Sequence, residues 1–185
     1  MGSAIRALTA SRLARLAAVA ALAALTMSVG TSASGSTGKT IRTMGTEDVH
    51  INSKIFSNLR FSPGNTTIES GQQITLIHND DTDEPHTLTV ADPDELPTDV
   101  EDVFSCGEPG TLCDEIFNTV APQIVDENAA QFINVGGGPG LDARLDTIWL
   151  PAGTSISVPV DAPAGTTLSF LCAIHAWMQG TIRVG

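Results

Sequence analysis

Residues 170–184 contain three side chains that bind soft metal ions. Cys172, His175 and Met178 follow one another at three-residue spacing, so a thiol, an imidazole and a thioether lie in one short segment. Neighbouring strand residues point to opposite faces and advance about 3.3 Å each, so a straight strand cannot bring these three groups together. The residue pattern predicts strands before Cys172 and after Gly180, with the three side chains on the loop between them.

Thiolate, imidazole and a weakly held thioether are ligands that suit copper in an electron-transfer site, which also requires a second imidazole. The rest of the chain must supply that histidine. The competing interpretation is a buried cysteine, a surface histidine and a core methionine in a β-sandwich.

The pattern Cys172-x2-His175-x2-Met178, followed by Gln179-Gly180 and a closing strand, resembles the copper-binding loop of amicyanin-type cupredoxins. Plastocyanin loops are similar but place more residues between the histidine and the methionine. The resemblance implies one type 1 (blue) copper ion, with Cys172 as the strong equatorial thiolate and Met178 as the weak axial ligand. It also implies that His175, an equatorial imidazole, reaches the surface and passes electrons.

A second segment resembles the part of a cupredoxin that carries the first histidine ligand. A turn at 62–65 and a strand lead to an acidic turn at 79–85, and His86 then opens a further strand. The resemblance makes His86 the missing imidazole, and Pro85 before it fixes the local chain. His78 ends the preceding strand and is the alternative ligand.

Two other residues are expected beside the ligands. Thr87 stands where several relatives have asparagine, and its backbone N–H is placed to bond the Cys172 sulfur, which would tune the reduction potential. Trp177 is either a hydrophobic docking contact or an ordinary packing residue.

The remaining cysteines, Cys106 and Cys113, bracket a Gly/Pro-containing turn at 107–112. We predict that they form a disulfide. The competing interpretation makes them ligands of a second metal site, but no histidine lies near them in sequence. Cys172 is then unpaired, as a cysteine held as thiolate by a metal would be.

Residues 1–33 have the features of a secretory signal peptide, with arginines at 6, 12 and 15 and an apolar run over 16–29. That run is shorter than the roughly 20 residues that span a membrane. We predict a flexible linker over 34–45 and a copper-binding domain over 46–185, with no membrane span in the mature chain. Export to a periplasm or to the extracellular side follows.

Charge restricts the partners. The chain has 9 Lys and Arg against 21 Asp and Glu, a formal charge of −12. No Lys or Arg lies between Arg60 and Arg144, which leaves an acidic middle region. Nucleic acid and anionic membrane surfaces are therefore not expected as partners. The acidic residues form a solvated surface, a docking face for a redox protein with a basic docking surface, or a field that attracts copper ions, and we expect a monomer.

Seven or eight short strands with turn signals, and no long helical pattern, predict an all-β fold. We expect a cupredoxin-like, antiparallel Greek-key β-sandwich, with an insert over 91–147 that lies outside the resemblance. Within the insert, the pattern over 100–104 and 114–125 does not decide between helix and strand. The insert is expected either to cover the copper or to contact a partner.

The predicted function is single-electron transfer by an exported blue copper protein, and the chain is not expected to be an enzyme. The alternative is copper acquisition, delivery or tolerance. Multicopper oxidases resemble this domain but place a histidine beside the cysteine, where this chain has Leu171 and Ala173, and four histidines are too few for further copper sites. Zinc could bind the thiolate and two imidazoles, but Met178 would then have no role.

Overall fold

The structure, a computed structural model, describes residues 38–185; the predicted signal peptide at 1–33 lies outside them. The described chain forms strands β1 Lys39–Met44, β2 Glu47–His50, β3 Lys54–Ser57, β4 Arg60–Ser62, β5 Asn65–Ile68, β6 Gln73–Ile77, β7 His86–Ala91, β8 Gln131–Ile133, β9 Thr147–Leu150, β10 Ser155–Pro159, β11 Thr167–Leu171 and β12 Gln179–Val184. Two helices, α1 Val100–Ser105 and α2 Leu112–Val120, and a 3-10 turn at Ala121–Gln123 lie between β7 and β8.

Most strands belong to two sheets that share one core. The smaller sheet has the order β10-β6-β1-β4, and the larger has the order β5-β12-β11-β7-β9-β8, while β2 and β3 form a separate hairpin. This confirms the predicted β-sandwich. It is not purely antiparallel, because β1 pairs with β6 and β5 pairs with β12 in parallel.

The core lies between the sheets and is built by alternating apolar residues. Ile74 and Leu76 on β6 face Leu88 and Phe170 from the larger sheet, and all four are fully buried. Phe170 also meets Phe61 edge to face, with ring centroids 5.1 Å apart. Burial of each such side chain contributes about 1.5–3 kcal/mol to folding, so this core is a firm base for the loops at its end.

The predicted flexible linker over 34–45 is wrong for residues 39–44, which form β1. Ile41 and Thr43 are buried, while Lys39 and Arg42 are exposed, so the segment alternates as a half-buried strand does. The strand is short and mostly polar, so its alternation of buried and exposed residues is not evident from the sequence. β1 lies between β6 and β4 and is therefore integral to the smaller sheet.

The segments that the sequence left undecided in the insert are helical. α1 begins after Asp99, whose side chain accepts a hydrogen bond from the Asp102 N–H at 2.9 Å. The buried residues of α2 form a stripe along one face: Leu112, Cys113, Ile116 and Val120. No helix among residues 38–185 is both long and apolar enough to cross a membrane.

The insert packs against the loop between β11 and β12, residues 172–178, which we call the ligand loop. The buried face of α2 and both disulfide cysteines form one apolar cluster with Leu171, Ala173 and Ala176. The insert also contributes β8 as an edge strand of the larger sheet. It is therefore part of the sandwich and covers one side of the ligand loop.

Two polar contacts hold the insert in place. The buried Asp146 carboxylate accepts four backbone N–H groups, from Val135, Gly136, Asp142 and Ala143. Arg144 forms ion pairs with Glu95, at 2.7 Å, and with Glu115. The Arg144 ion pairs connect segments that are far apart in sequence, whereas the Asp146 hydrogen bonds close a loop within residues 135–146.

Candidate metal centre

The ligand loop is a tight turn closed by its own backbone. The Cys172 N–H donates to the Met178 carbonyl at 2.9 Å, and the Met178 N–H donates to the His175 carbonyl at 2.8 Å. Gly180 follows, and a Cβ there would lie 2.2 Å from the Gly64 carbonyl oxygen, so only glycine fits. The loop thus turns its side chains toward the end of the core.

Three of the four predicted ligands meet at one point. The Cys172 Sγ lies 3.7 Å from the Nδ1 of His86 and 3.7 Å from the Nδ1 of His175. The two Nδ1 atoms are 3.2 Å apart, and all three residues are buried. Met178 is buried in the same core cluster as Cys172.

One thiolate, two imidazoles and a neighbouring thioether match what copper requires in an electron-transfer protein. This is the donor set of a single type 1 copper ion.

Strand β7, which carries His86, also contacts the Cys172 sulfur through the backbone of Thr87. The Thr87 N–H points at Cys172 Sγ at 3.3 Å, and the Thr87 hydroxyl accepts a hydrogen bond from the Ala173 N–H at 2.8 Å. Burial alone raises the pKa of the Cys172 thiol, but hydrogen bonds to His175, His86 and Thr87 outweigh it and lower the pKa to about 6. The thiolate, which is the form that binds metal, is therefore accessible at neutral pH.

Each imidazole has a carboxylate on its remote nitrogen. The His86 Nε2 bonds Asp80 Oδ2 at 2.9 Å, and the His175 Nε2 bonds Glu84 Oε2 at 2.8 Å. Burial raises the pKa of Asp80, but hydrogen bonds from Thr43 and Thr82 and the charge of His86 lower it to about 2. For His175, burial lowers the pKa, but Cys172 and Glu84 outweigh it and raise the pKa.

Sequence reasoning missed both carboxylates. The signal was the acidic turn at 79–85, which ends one residue before His86 and contains Asp80 and Glu84. Because the chain reverses direction in this turn, its acidic residues can lie next to His86, which follows the turn. Acidic residues in a turn are typical of a solvated surface, so the sequence alone does not place them against the histidines.

His78 lies beside the site, not in it. Its ring centroid is 5.1 Å from that of His86, and its Nε2 is 2.9 Å from the Glu84 carbonyl oxygen. A carbonyl only accepts hydrogen bonds, so this nitrogen carries a proton and is not free to bind a metal. The structure therefore groups His86, and not His78, with Cys172 and His175.

The expectation that His175 reaches the surface is wrong. His175 is 3% exposed, with Glu84 on its Nε2 and the edge of Trp177 at a centroid distance of 5.2 Å. Trp177 is 42% exposed and donates its indole N–H to the Leu59 carbonyl at 3.2 Å. Trp177, and not His175, is therefore the exposed residue at the surface over the site. Residues that are distant in sequence, such as Glu84, lie against His175 and bury it.

The predicted disulfide is confirmed. Cys106 and Cys113 are bonded, with Cα atoms 5.1 Å apart, and Cys172 is a free, buried cysteine. The bond leaves no thiolate on the insert for a second metal.

No family model matches the chain, and no curated protein matches it. Solved structures to which it is similar include a purple cupredoxin from Nitrosopumilus maritimus, at 15% identity and a TM-score of 0.39, covering 80% of this chain and 99% of that one. An auracyanin from Roseiflexus castenholzii has 19% identity and a TM-score of 0.43, covering 81% and 98%. Plastocyanin from Dryopteris crassirhizoma has 18% identity and a TM-score of 0.37, covering 79% and 99%. These sequence identities and TM-scores are too low to assign a function. The fold and the donor set are therefore assigned from the geometry given above.

Proposed function

We propose that this chain is an exported type 1 copper protein that carries single electrons between redox partners. The observation that carries the proposal is the convergence of Cys172 Sγ with the Nδ1 atoms of His86 and His175. Met178 is the weak axial ligand in this proposal. Copper, when bound, supplies reversible one-electron chemistry.

The contribution of the chain is to hold these donors still. The Thr87 N–H donates to the Cys172 sulfur, and His86 donates to Asp80. The loop that carries His175 is closed by hydrogen bonds of its own backbone. A donor set that moves little between oxidation states keeps the reorganisation energy small. Hydrogen bonds at the sulfur and apolar shielding then tune the potential.

Burial of the ligands favours a carrier over a copper-delivery protein. His86, Cys172 and Met178 are almost completely buried, so release of an ion requires the loop to open. A delivery protein would need to pass its ion to an acceptor through an accessible ligand. Leu171 and Ala173, which flank Cys172, offer no ligand that couples a second copper, which favours a carrier over an enzyme.

The disulfide supports export. Structural disulfides persist in oxidising compartments and are rare in the cytosol. The Cys106–Cys113 bond therefore agrees with the signal peptide predicted at 1–33 and with a periplasmic or extracellular location.

The surface over His175 suggests the kind of partner. A cavity of about 410 Å³ lies against His175 and is lined by Glu47, Ile55, Ser57, Glu84, Phe104, Ile174, His175 and Trp177. Its rim combines exposed apolar side chains, such as Phe104 and Trp177, with the carboxylates of Glu47 and Glu84. We propose that a redox protein with a basic docking surface binds here, because its charge then complements the carboxylates of this face.

The test compares redox cycling with metal release in the copper-loaded chain. We expect an intense thiolate-to-copper absorption in the visible range that bleaches on one-electron reduction, returns on oxidation and survives incubation with a Cu(I) chelator. Cys172→Ala is the control and should lack the band. Colourless Cu(I) binding that is lost to the chelator would instead indicate delivery.

A further inference from the structure

Asp80 has a position that the copper ligands alone do not explain. Its side chain is fully buried, and its Oδ2 bonds the Nε2 of His86, which is also fully buried. Its Oδ1 accepts the Thr82 N–H at 3.1 Å and the Thr82 hydroxyl at 2.6 Å. A buried carboxylate is costly unless it is paired, and here Oδ2 is paired with His86 while the His78 Nε2 lies 3.8 Å from Oδ1.

The hydrogen bond determines which nitrogen of His86 is available. An ionised carboxylate only accepts hydrogen bonds, so Nε2 must carry the imidazole proton. Nδ1, which lies 3.7 Å from Cys172 Sγ, then has a free lone pair directed into the site. The imidazole is therefore oriented before any metal arrives.

Glu84 bonds His175 in the same manner but in a different environment. Its side chain is 54% exposed, whereas that of Asp80 is fully buried. Solvent and salt screen the charge of an exposed carboxylate far more than that of a buried one. The two imidazoles are therefore inequivalent, and the unscreened negative charge is on the His86 side.

We propose that Asp80 is a positioning residue of the copper site, which fixes His86 as an Nδ1 donor and favours Cu(II) over Cu(I). A nearby buried anion stabilises the doubly charged ion more than the singly charged one. A carboxylate on the remote nitrogen also makes the ligating nitrogen more basic. The preference for Cu(II) rests on the function proposed above, whereas the orientation of His86 does not.

The first experiment removes the charge while keeping the shape. In Asp80→Asn the amide oxygen can still accept the His86 Nε2–H, so this contact is retained, while the amide nitrogen takes the place of the oxygen that accepts from Thr82. We expect the ratio of Cu(II) to Cu(I) affinity to fall about 10-fold, the lower end of the range for outer ligand partners, which corresponds to a midpoint potential about 59 mV more positive. Asp83→Asn, an equal charge change at an exposed residue of the same turn, should leave the ratio unchanged. An equal ratio in both variants would overturn the electronic role.

The second experiment uses the metal-free protein. Nitrogen-15 NMR of the wild-type imidazoles should show His86 protonated at Nε2 alone, and Asp80→Ala should show a mixture of tautomers. A wild-type His86 protonated at Nδ1 would overturn the positioning role. The wild-type spectrum tests the orientation of His86 even if Asp80→Asn does not fold.

The two experiments separate the inference from the proposed function. Absence of a copper chromophore in the wild-type chain would remove the proposed function and, with it, the preference for Cu(II), while the tautomer would still test the orientation of His86. A normal chromophore with an unchanged potential in Asp80→Asn would remove the preference for Cu(II) and leave the proposed function intact, and the tautomer of His86 would still test the positioning role.

Discussion

Two histidines lie side by side at the end of the sandwich, yet only one faces the sulfur. His86 directs Nδ1 at Cys172, while His78 donates its Nε2–H to the Glu84 carbonyl. We therefore predict that His86→Ala abolishes the visible band of the copper-loaded protein and that His78→Ala, the matched control, retains it. Absorption spectra after addition of one equivalent of Cu(II) measure this. Retention in His86→Ala with loss in His78→Ala would reverse the ligand assignment.

Thr87 connects the two ligand-bearing segments through its hydroxyl as well as its N–H. In Thr87→Val the Ala173 N–H loses its acceptor and remains buried without a partner. We expect the free energy of unfolding of the metal-free protein to fall by about 1–3 kcal/mol, the usual cost of such a group. Denaturant titration measures it, with the exposed Thr67→Val as control. Equal stability of the two variants would show that this hydrogen bond contributes nothing.

At the scale of residues, the spacing of Cys172, His175 and Met178 was informative because ligands from one loop need a fixed short separation. The choice of His86 relied on a second local pattern, the turn and strand around it. Asp80 and Glu84 escaped prediction because acidic residues in a turn are usually solvated. Only the folded geometry shows that these two carboxylates turn back onto imidazoles.

Among the elements, the strands were predictable and the insert was not. Period-two alternation marks β6, where one face meets the core, while β11 is a short run of buried residues that the flanking turns delimit. β1 was missed because two buried residues in a short polar segment give too weak a pattern. The insert was left open because α1 and α2 are short helices stabilised by contacts with the ligand loop, which local sequence does not show.

The ion pairs of Arg144 give a prediction about the insert. Arg144 lowers the pKa of Glu95 and of Glu115 from the ordinary value of 4.5. Groups with a lowered folded-state pKa stabilise the fold above the unfolded pKa, and this is lost as the pH falls through the folded value. We expect Arg144→Met to cost about 1 kcal/mol at neutral pH, a small value because these side chains are partly exposed.

The same variant should differ less from the wild type as the pH falls below that ordinary value, because both glutamates then become protonated. Chemical denaturation at a series of pH values measures this. Arg42→Met is the control, since Arg42 is exposed and has no ion pair among residues 38–185. A cost that is independent of pH would show that Arg144 acts through packing of its side chain.

Over the whole molecule, the negative charge and the apolar rim around Trp177 act together on association. In the proposed function, a cationic redox protein is attracted over a distance and then packs on the rim. We predict that Trp177→Ala slows electron transfer to a basic cytochrome, used as a probe, without changing the visible spectrum, and that the wild-type rate falls as ionic strength rises. Stopped-flow kinetics measure both effects. Val125→Ala is the control, because Val125 is exposed but does not line the cavity. A rate that rises with salt would contradict a basic partner.

The claim on which these predictions depend is that one copper ion binds between two segments that are distant in the sequence. The most direct measurement is a crystal structure of the copper-loaded protein with anomalous diffraction data at the copper absorption edge. We predict a single anomalous peak bonded to Cys172 Sγ and to the Nδ1 atoms of His86 and His175, with Met178 Sδ as a longer contact. A peak bonded to His78 or to the remote nitrogens, or no peak among these residues, would contradict it.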